Sequence, residues 1–182
     1  MKRPVRAKGA GKVFRQPARV AIRTAKGDDA KALGGFFLHA WREAGPGSLG
    51  FTGATEDEIK EISSEEFLAQ RLLDPKRRFV VAERGGEVLG FASVRCMGRG
   101  KGELSGVVVL ESETGRGLGT KLVERACEEG TKLGIRRMVV KTEVFNERAL
   151  EFYKKNGFIE VEKTTEKVGK TPVPTQVLER NL

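Results

Sequence analysis

Apolar positions switch period along the chain, from alternation to helical spacing and back, and so predict strands and helices in mixed order. After a polar, basic start, "ARVAIRTA" (18–25) alternates as a first strand. "GDD" opens a helix from Asp28 to about Ala44. It carries Leu33, Phe36, Phe37 and Trp41 at helical spacing, although Gly34 and Gly35 weaken it. "GPGSLGFTGA" (45–54) reads as a loop on turn chemistry. Thr55 with Glu58 three residues on forms a capping box, and a second helical region runs to about Leu73 before Pro75 stops it. "RFVVAE" (78–83) and "EVLGFASVRCM" (87–97), joined by "RGGE", predict a hairpin. "GELSGVVVL" (102–110) has strand character. The helix over 117–134 then sets Leu118, Leu122, Ala126 and Leu133 on one apolar face. A strand (135–144), a helix (146–157) and two last strands (158–166 and 171–180) complete the order. The class is α+β, a mixed α/β sandwich: helices cover a largely antiparallel sheet that holds one βαβ unit at 102–144.

Length and composition narrow this picture. The 182 residues suit one domain over 18–182. No apolar run approaches the ~20 residues of a membrane span, so no membrane partner is expected. The net charge of +9 is local: residues 1–27 hold nine basic groups and no acid, and the other 25 basic and 25 acidic residues cancel. Residues 1–17 therefore read as a flexible basic arm, with weak contact to nucleic acid as the alternative. The arm lacks the apolar core of a secretory signal and the serines of a transit peptide, so the cytoplasm is the expected compartment. Cys96 and Cys127 read as reduced core thiols, and His39 is read as a partly exposed packing residue. A lone histidine cannot build a metal site with these cysteines, so none is expected.

The sharpest feature is "TGRGLGTKL" (114–122), where a strand leads through glycines into a helix. Glycine lets successive N–H groups face one concavity, and the helix N-terminus adds a positive field. Arg116 supplies a full charge, with Thr120 and Lys121 near, so the turn suits a phosphate or pyrophosphate. A ligand-free tight turn is the plain alternative. A dinucleotide fingerprint fails at its third glycine, where Thr120 stands, although Glu143 would serve as its ribose-binding acid.

From Glu103 to Phe158 the chain resembles the GNAT family of N-acetyltransferases. "TGRGLG" is similar to the family's acetyl-CoA signature, Gln/Arg-x-x-Gly-x-Gly/Ala, with Thr114 in the first place. "NERALEFYKKNGF" (146–158) matches the second segment at Asn146, Ala149, Phe152, Tyr153, Gly157 and Phe158. The resemblance implies a GNAT-like fold and acetyl-CoA as co-substrate, its pyrophosphate on Thr114, Gly115, Arg116, Gly117, Leu118, Gly119 and Thr120. It places pantetheine and oxyanion contacts on the backbone of Val107, Val108 and Val109. It makes Tyr153 the general acid to sulfur and lets Asn146 orient the cofactor arm, a position where a helix N-cap fits equally. It offers Glu103 as a water-mediated base, with Glu143 in reserve. Strand alternation sets Glu103, Ser105, Val107 and Val109 on one face, with Ser105 able to help hold that water. The acceptor is an amine of unidentified kind; Phe36, Phe37, Trp41 and the loop that opens at 45 lie where the family shapes its pocket, although such residues are more often core than pocket, and a homodimer is compatible with the resemblance. Two rival readings stand beside it: a silent acyl-CoA-binding module in which Tyr153 only packs, and a dinucleotide-binding protein.

Overall fold

Seven strands form one sheet in the order β1-β2-β3-β4-β5-β7-β6. The structure is a computed structural model that describes residues 19–44, 55–168 and 171–182. The basic arm and the 45–54 loop lie outside the described residues. The strands are β1 (Ala21–Thr24), β2 (Arg77–Arg84), β3 (Glu87–Gly98), β4 (Lys101–Val109), β5 (Arg137–Glu143), β6 (Ile159–Val168) and β7 (Thr171–Asn181). The helices are α1 (Ala30–Ala44), α2 (Glu56–Ile62), α3 (Glu65–Leu73), α4 (Leu118–Lys132) and α5 (Glu147–Lys155).

Every strand pair is antiparallel except β4–β5, which α4 joins as a crossover. A sheet with one parallel pair has no doubly wound nucleotide-binding topology. The β2–β3 turn uses Gly85 and Gly86 at φ 61° and 89°, the left-handed pair that a two-residue hairpin requires. Phe91 on β3 meets Phe36 and Phe37 of α1 at ring-centroid distances of 5.9 and 4.4 Å. Its neighbour Gly90 faces Leu122 of α4, so α1 and α4 cover opposite faces. Leu118, Leu122 and Ala126 are buried as the helical spacing predicts, and Val123 and Cys127 join them.

The structure corrects the sequence reading in three places. The helical region 55–73 is two helices, because Ser63 closes α2 and the Ser64 side chain accepts from Phe67 N–H to start α3. His39 is exposed, its Nε2 3.4 Å from Glu43 Oε1. Most important for the site, β4 bulges. Arg95 pairs with Glu103 and Val94 with Leu104, but Ser93 pairs with Gly106, which leaves Ser105 as the extra residue. Strand alternation fails across that point. Glu103 and Ser105 lie on the α1 face, whereas Val109 turns to the α4 face beside Gly90 and Leu122.

Two glycines that weaken α1 are separable by what surrounds them. A Cβ on Gly34 would overlap the Ser63 carbonyl oxygen, whereas Gly35 has nothing within 4 Å. Gly34→Ala is therefore expected to lose about 1–3 kcal/mol and Gly35→Ala to gain about 0.5–1 kcal/mol, read as opposite shifts in chemical denaturation midpoint. A loss in both would show that the α1–Ser63 contact is not what selects glycine. Among the described residues no helix is long and apolar enough to cross a membrane.

Candidate active site

The glycine turn is built as its sequence suggests, but its three glycines serve different ends. After β4, a 3₁₀ turn at Glu111–Glu113 is closed by Thr114, whose hydroxyl donates to the Glu111 carbonyl at 2.6 Å. Gly115 and Gly117 sit at φ 75° and 74°, where a Cβ is strained. Gly117 is the N-cap of α4 and no side chain caps it. The first intrahelical bond runs from Lys121 N–H to the Gly117 carbonyl, so the N–H groups of Leu118, Gly119 and Thr120 have no capping side chain. Such a helix start favours an anion. Gly119 lies within the helix and is small for packing: a Cβ there would stand 3.1 Å from the Phe152 ring of α5.

Charge around the turn is organised by a residue the sequence reading missed. Glu113 is buried and takes a two-point ion pair from Arg84 at 2.9 and 3.0 Å, with Arg116 at 3.4 Å. Arg84 holds the Glu113 carboxyl below its ordinary range. The pair ties the turn to the end of β2 and neutralises an acid beside the anion position. The Arg116 side chain stays 65% exposed and so is available to a ligand. No local signal links positions 84 and 113 in sequence.

Beside the turn, the sheet opens. β4 and β5 pair only at Lys101–Arg137, Gly102–Met138 and Glu103–Val139, although β4 runs on to Val109 and β5 to Glu143. Beyond Glu103 the strands part, and the half-buried segment Val107–Val109 presents backbone donors and acceptors toward the gap. This is the strand edge that the resemblance assigns to pantetheine.

α5 closes the gap's far side. Asn146 is buried; its side-chain oxygen accepts from Ala149 N–H at 3.1 Å and its amide donates to Glu143 at 3.3 Å. The N-cap role is therefore its built role here. Tyr153 is 8% exposed and packs edge-on against Phe152 and Phe158 at 5.2 and 5.8 Å. Its hydroxyl has no hydrogen-bond partner among the described residues. Arg180 fastens the end of the helix by donating to the Asn156 carbonyl at 2.8 Å. Through Phe152, the tyrosine helix rests directly on Gly119.

Glu103 stands where β4 and β5 part, but its carboxylate is engaged, accepting from Arg95 at 2.8 Å. Glu143 lies at the other rim, bonded to Thr142 and Asn146. The structure thus gathers the turn, Val107–Val109, Asn146 and Tyr153 around one gap, with Glu103 at its closed end. Phe36 and Trp41 are buried, in line with their reading as core, and Phe37 is partly buried.

Burial, and then the Glu143 carboxylate, push the Tyr153 hydroxyl up to about 12. As Tyr153 is the only tyrosine, the near-ultraviolet tyrosinate signal reads it directly. Folded protein is expected to titrate near 12 and denatured protein near ~10. Between those values the folded chain keeps a proton that the unfolded chain has lost. The hydroxyl's contribution is then intact below pH ~10 and stability falls as pH rises through the window. A folded midpoint near 10 would place the hydroxyl in water.

The acetyltransferase (GNAT) family model matches residues 38–158. An IAA acetyltransferase of Azospirillum brasilense is 31% identical over 90 residues, which cover 49% of this chain and 59% of that protein. The chain thus spans less than two thirds of that curated relative. Among solved structures, a ribosomal-protein-alanine N-acetyltransferase from Brucella melitensis superposes with TM-score 0.71 at 23% identity, over 89% of this chain and 99% of that one. A PaiA N-acetyltransferase from Thermoplasma acidophilum in complex with coenzyme A gives 0.69 at 20% identity, over 90% and 99%. At such identities these likenesses speak for the fold.

Proposed function

We propose, from the premise that the chain belongs to the GNAT acetyltransferase family, that it transfers the acetyl group of acetyl-CoA to a primary amine by direct attack in a ternary complex. One observation carries this reading: the gap between β4 and β5 has an uncapped helix start at its rim and, beside it, a tyrosine whose ring is buried and whose hydroxyl bonds no described residue. A thioester needs both features, one for its distant phosphates and one for its leaving sulfur.

The residues divide the chemistry as follows. The turn at 115–120 binds the pyrophosphate through backbone N–H groups, with Arg116 adding charge in place of the arginine or glutamine that Thr114 replaces. The freed edge of Val107–Val109 aligns the pantetheine arm and offers N–H groups to the carbonyl oxygen as it gains charge. An alkylammonium has a pKa near ~10, so the acceptor must shed a proton first; Glu103 takes it through water. The amine nitrogen then bonds to the carbonyl carbon and releases its second proton to water as the carbon–sulfur bond breaks. Tyr153 gives its proton to the departing thiolate and recovers one from solvent. The two free thiols, Cys96 and Cys127, support the cytoplasm as the place of action.

The test is a set of melting curves with acetyl-CoA, desulfo-CoA or NADH. A ligand at a hundred times its dissociation constant adds about 2.7 kcal/mol, a rise of roughly 5–10 °C for a chain of this size. Both coenzyme A compounds are expected to give that rise and NADH none. Stabilisation by NADH alone would overturn the reading in favour of a dinucleotide site.

A further inference from the structure

We propose that Arg77, oriented by Ser93 and Ser105, is the recognition site for a carboxylate carried by the acceptor, so that the amine acetylated belongs to an amino acid or a compound like one. The inference rests on the acetyltransferase reading and names its substrate class.

Arg77 opens β2 and is 9% exposed. A guanidinium withdrawn this far from water is costly unless a carboxylate pairs with it. Arg77 has no such partner among the described residues. Its Nη1 donates to Ser93 Oγ and Ser105 Oγ, both at 3.2 Å, and its Nε is shielded from solvent without an acceptor. The surroundings sharpen the imbalance. Arg71 and Arg95 stand near enough to oppose its charge, adding to the larger effect of burial. The two neighbouring carboxylates are already used: Asp74 accepts from Lys76 N–H at 2.9 Å, and Glu103 accepts from Arg95 at 2.8 Å. Neither carboxylate reaches the Arg77 guanidinium, whose charge a carboxylate on the acceptor would balance.

A purely structural role explains this poorly, since an apolar side chain would fill the place without the desolvation cost. A ligand role explains the shape. The serines fix the plane of the guanidinium through one nitrogen, and Nε with Nη2 form the edge that pairs two-point with a carboxylate. The position also fits. Ser105 is the bulged residue of β4, two residues past the last β4–β5 pair, so the guanidinium is held from the strand that borders the gap where the acetyl group is transferred.

Acetyl transfer should be measured for a panel of free amino acids, each beside its own carboxamide and its decarboxylated amine. The enzymes are wild type, Arg77→Lys and Arg77→Met, with the acetyl-CoA melting shift recorded on the same samples. Wild type is expected to prefer at least one acid over its carboxamide by roughly 10- to 100-fold in kcat/KM, mostly through KM, as for a hydrogen-bonded charge. Arg77→Met should bring that ratio near parity with the acetyl-CoA shift intact, and Arg77→Lys should fall between. Wild type using amides and plain amines as well as acids, or using no acid, would overturn the proposal. So would an Arg77→Met enzyme that keeps the preference. Should Arg77→Met fail to fold, the wild-type acid-to-amide ratio decides alone. A missing acetyl-CoA shift would sink the acetyltransferase reading itself, an outcome distinct from all of these.

Discussion

Tyr153→Phe is expected to lower kcat by roughly 10²–10³-fold, within the range for losing a positioned proton donor, and to leave acetyl-CoA affinity nearly unchanged. The substitution is clean on structural grounds. Phenylalanine keeps the ring that packs on Phe152 and Phe158, and the lost hydroxyl orphans no partner among the described residues. Stability should hold, so a fall in rate reports chemistry. Because the Tyr153 hydroxyl is pushed up to about 12, it stays protonated across neutral and mildly alkaline pH, the state a donor to sulfur requires. No alkaline decline in wild-type kcat should therefore trace to Tyr153 until pH nears 12. Steady-state kinetics with a saturating acceptor, alongside melting curves, decide the matter. An unchanged kcat would make Tyr153 a packing residue, whereas a wild type without turnover would make the chain a silent binder of acyl-CoA.

What the sequence made legible were features written in adjacent residues. The capping box at Thr55–Glu58, the Gly85–Gly86 hairpin and the helix behind the glycine turn are local patterns, and each appears where it was expected. The insertion of β7 between β5 and β6 was not legible, because strand neighbours are chosen by distant pairings that leave no periodic mark. The bulge at Ser105 was also hidden: one extra residue in β4 changes no composition but reverses which face Val107 and Val109 present, splitting a face the alternation had drawn together. The site divides the same way. Turn and tyrosine lie in contiguous motifs, whereas Arg84–Glu113 and Arg77–Ser105 join residues 29 and 28 positions apart. Even within the turn, pattern alone credits all three glycines to the ligand, and the structure does not.

That difference carries the second large effect. Gly119→Val is expected to cost about 1–3 kcal/mol and to depress kcat as well, because its side chain overpacks the ring of Phe152. A Cβ alone would stand 3.1 and 3.2 Å from two ring carbons, with Val109 Cγ2 at 3.9 Å behind, and valine adds two methyl groups to that space. The ring has little room to retreat, since it leans on Tyr153 at 5.2 Å; α5 must shift, carrying the Tyr153 hydroxyl with it. Gly115→Ala makes the contrast. It meets nothing within 4 Å and suffers only the left-handed backbone, about 1–2 kcal/mol, so it should weaken acetyl-CoA binding more than turnover. Phe152→Leu supplies the decisive arm. If overpacking is the cause, Leu at 152 recovers part of the stability lost by Gly119→Val, with a coupling of roughly 0.5–3 kcal/mol in a double-mutant cycle. Strict additivity would mean that Gly119 answers to the bound phosphates, and that the two halves of the site are joined by the ligand instead of by Phe152.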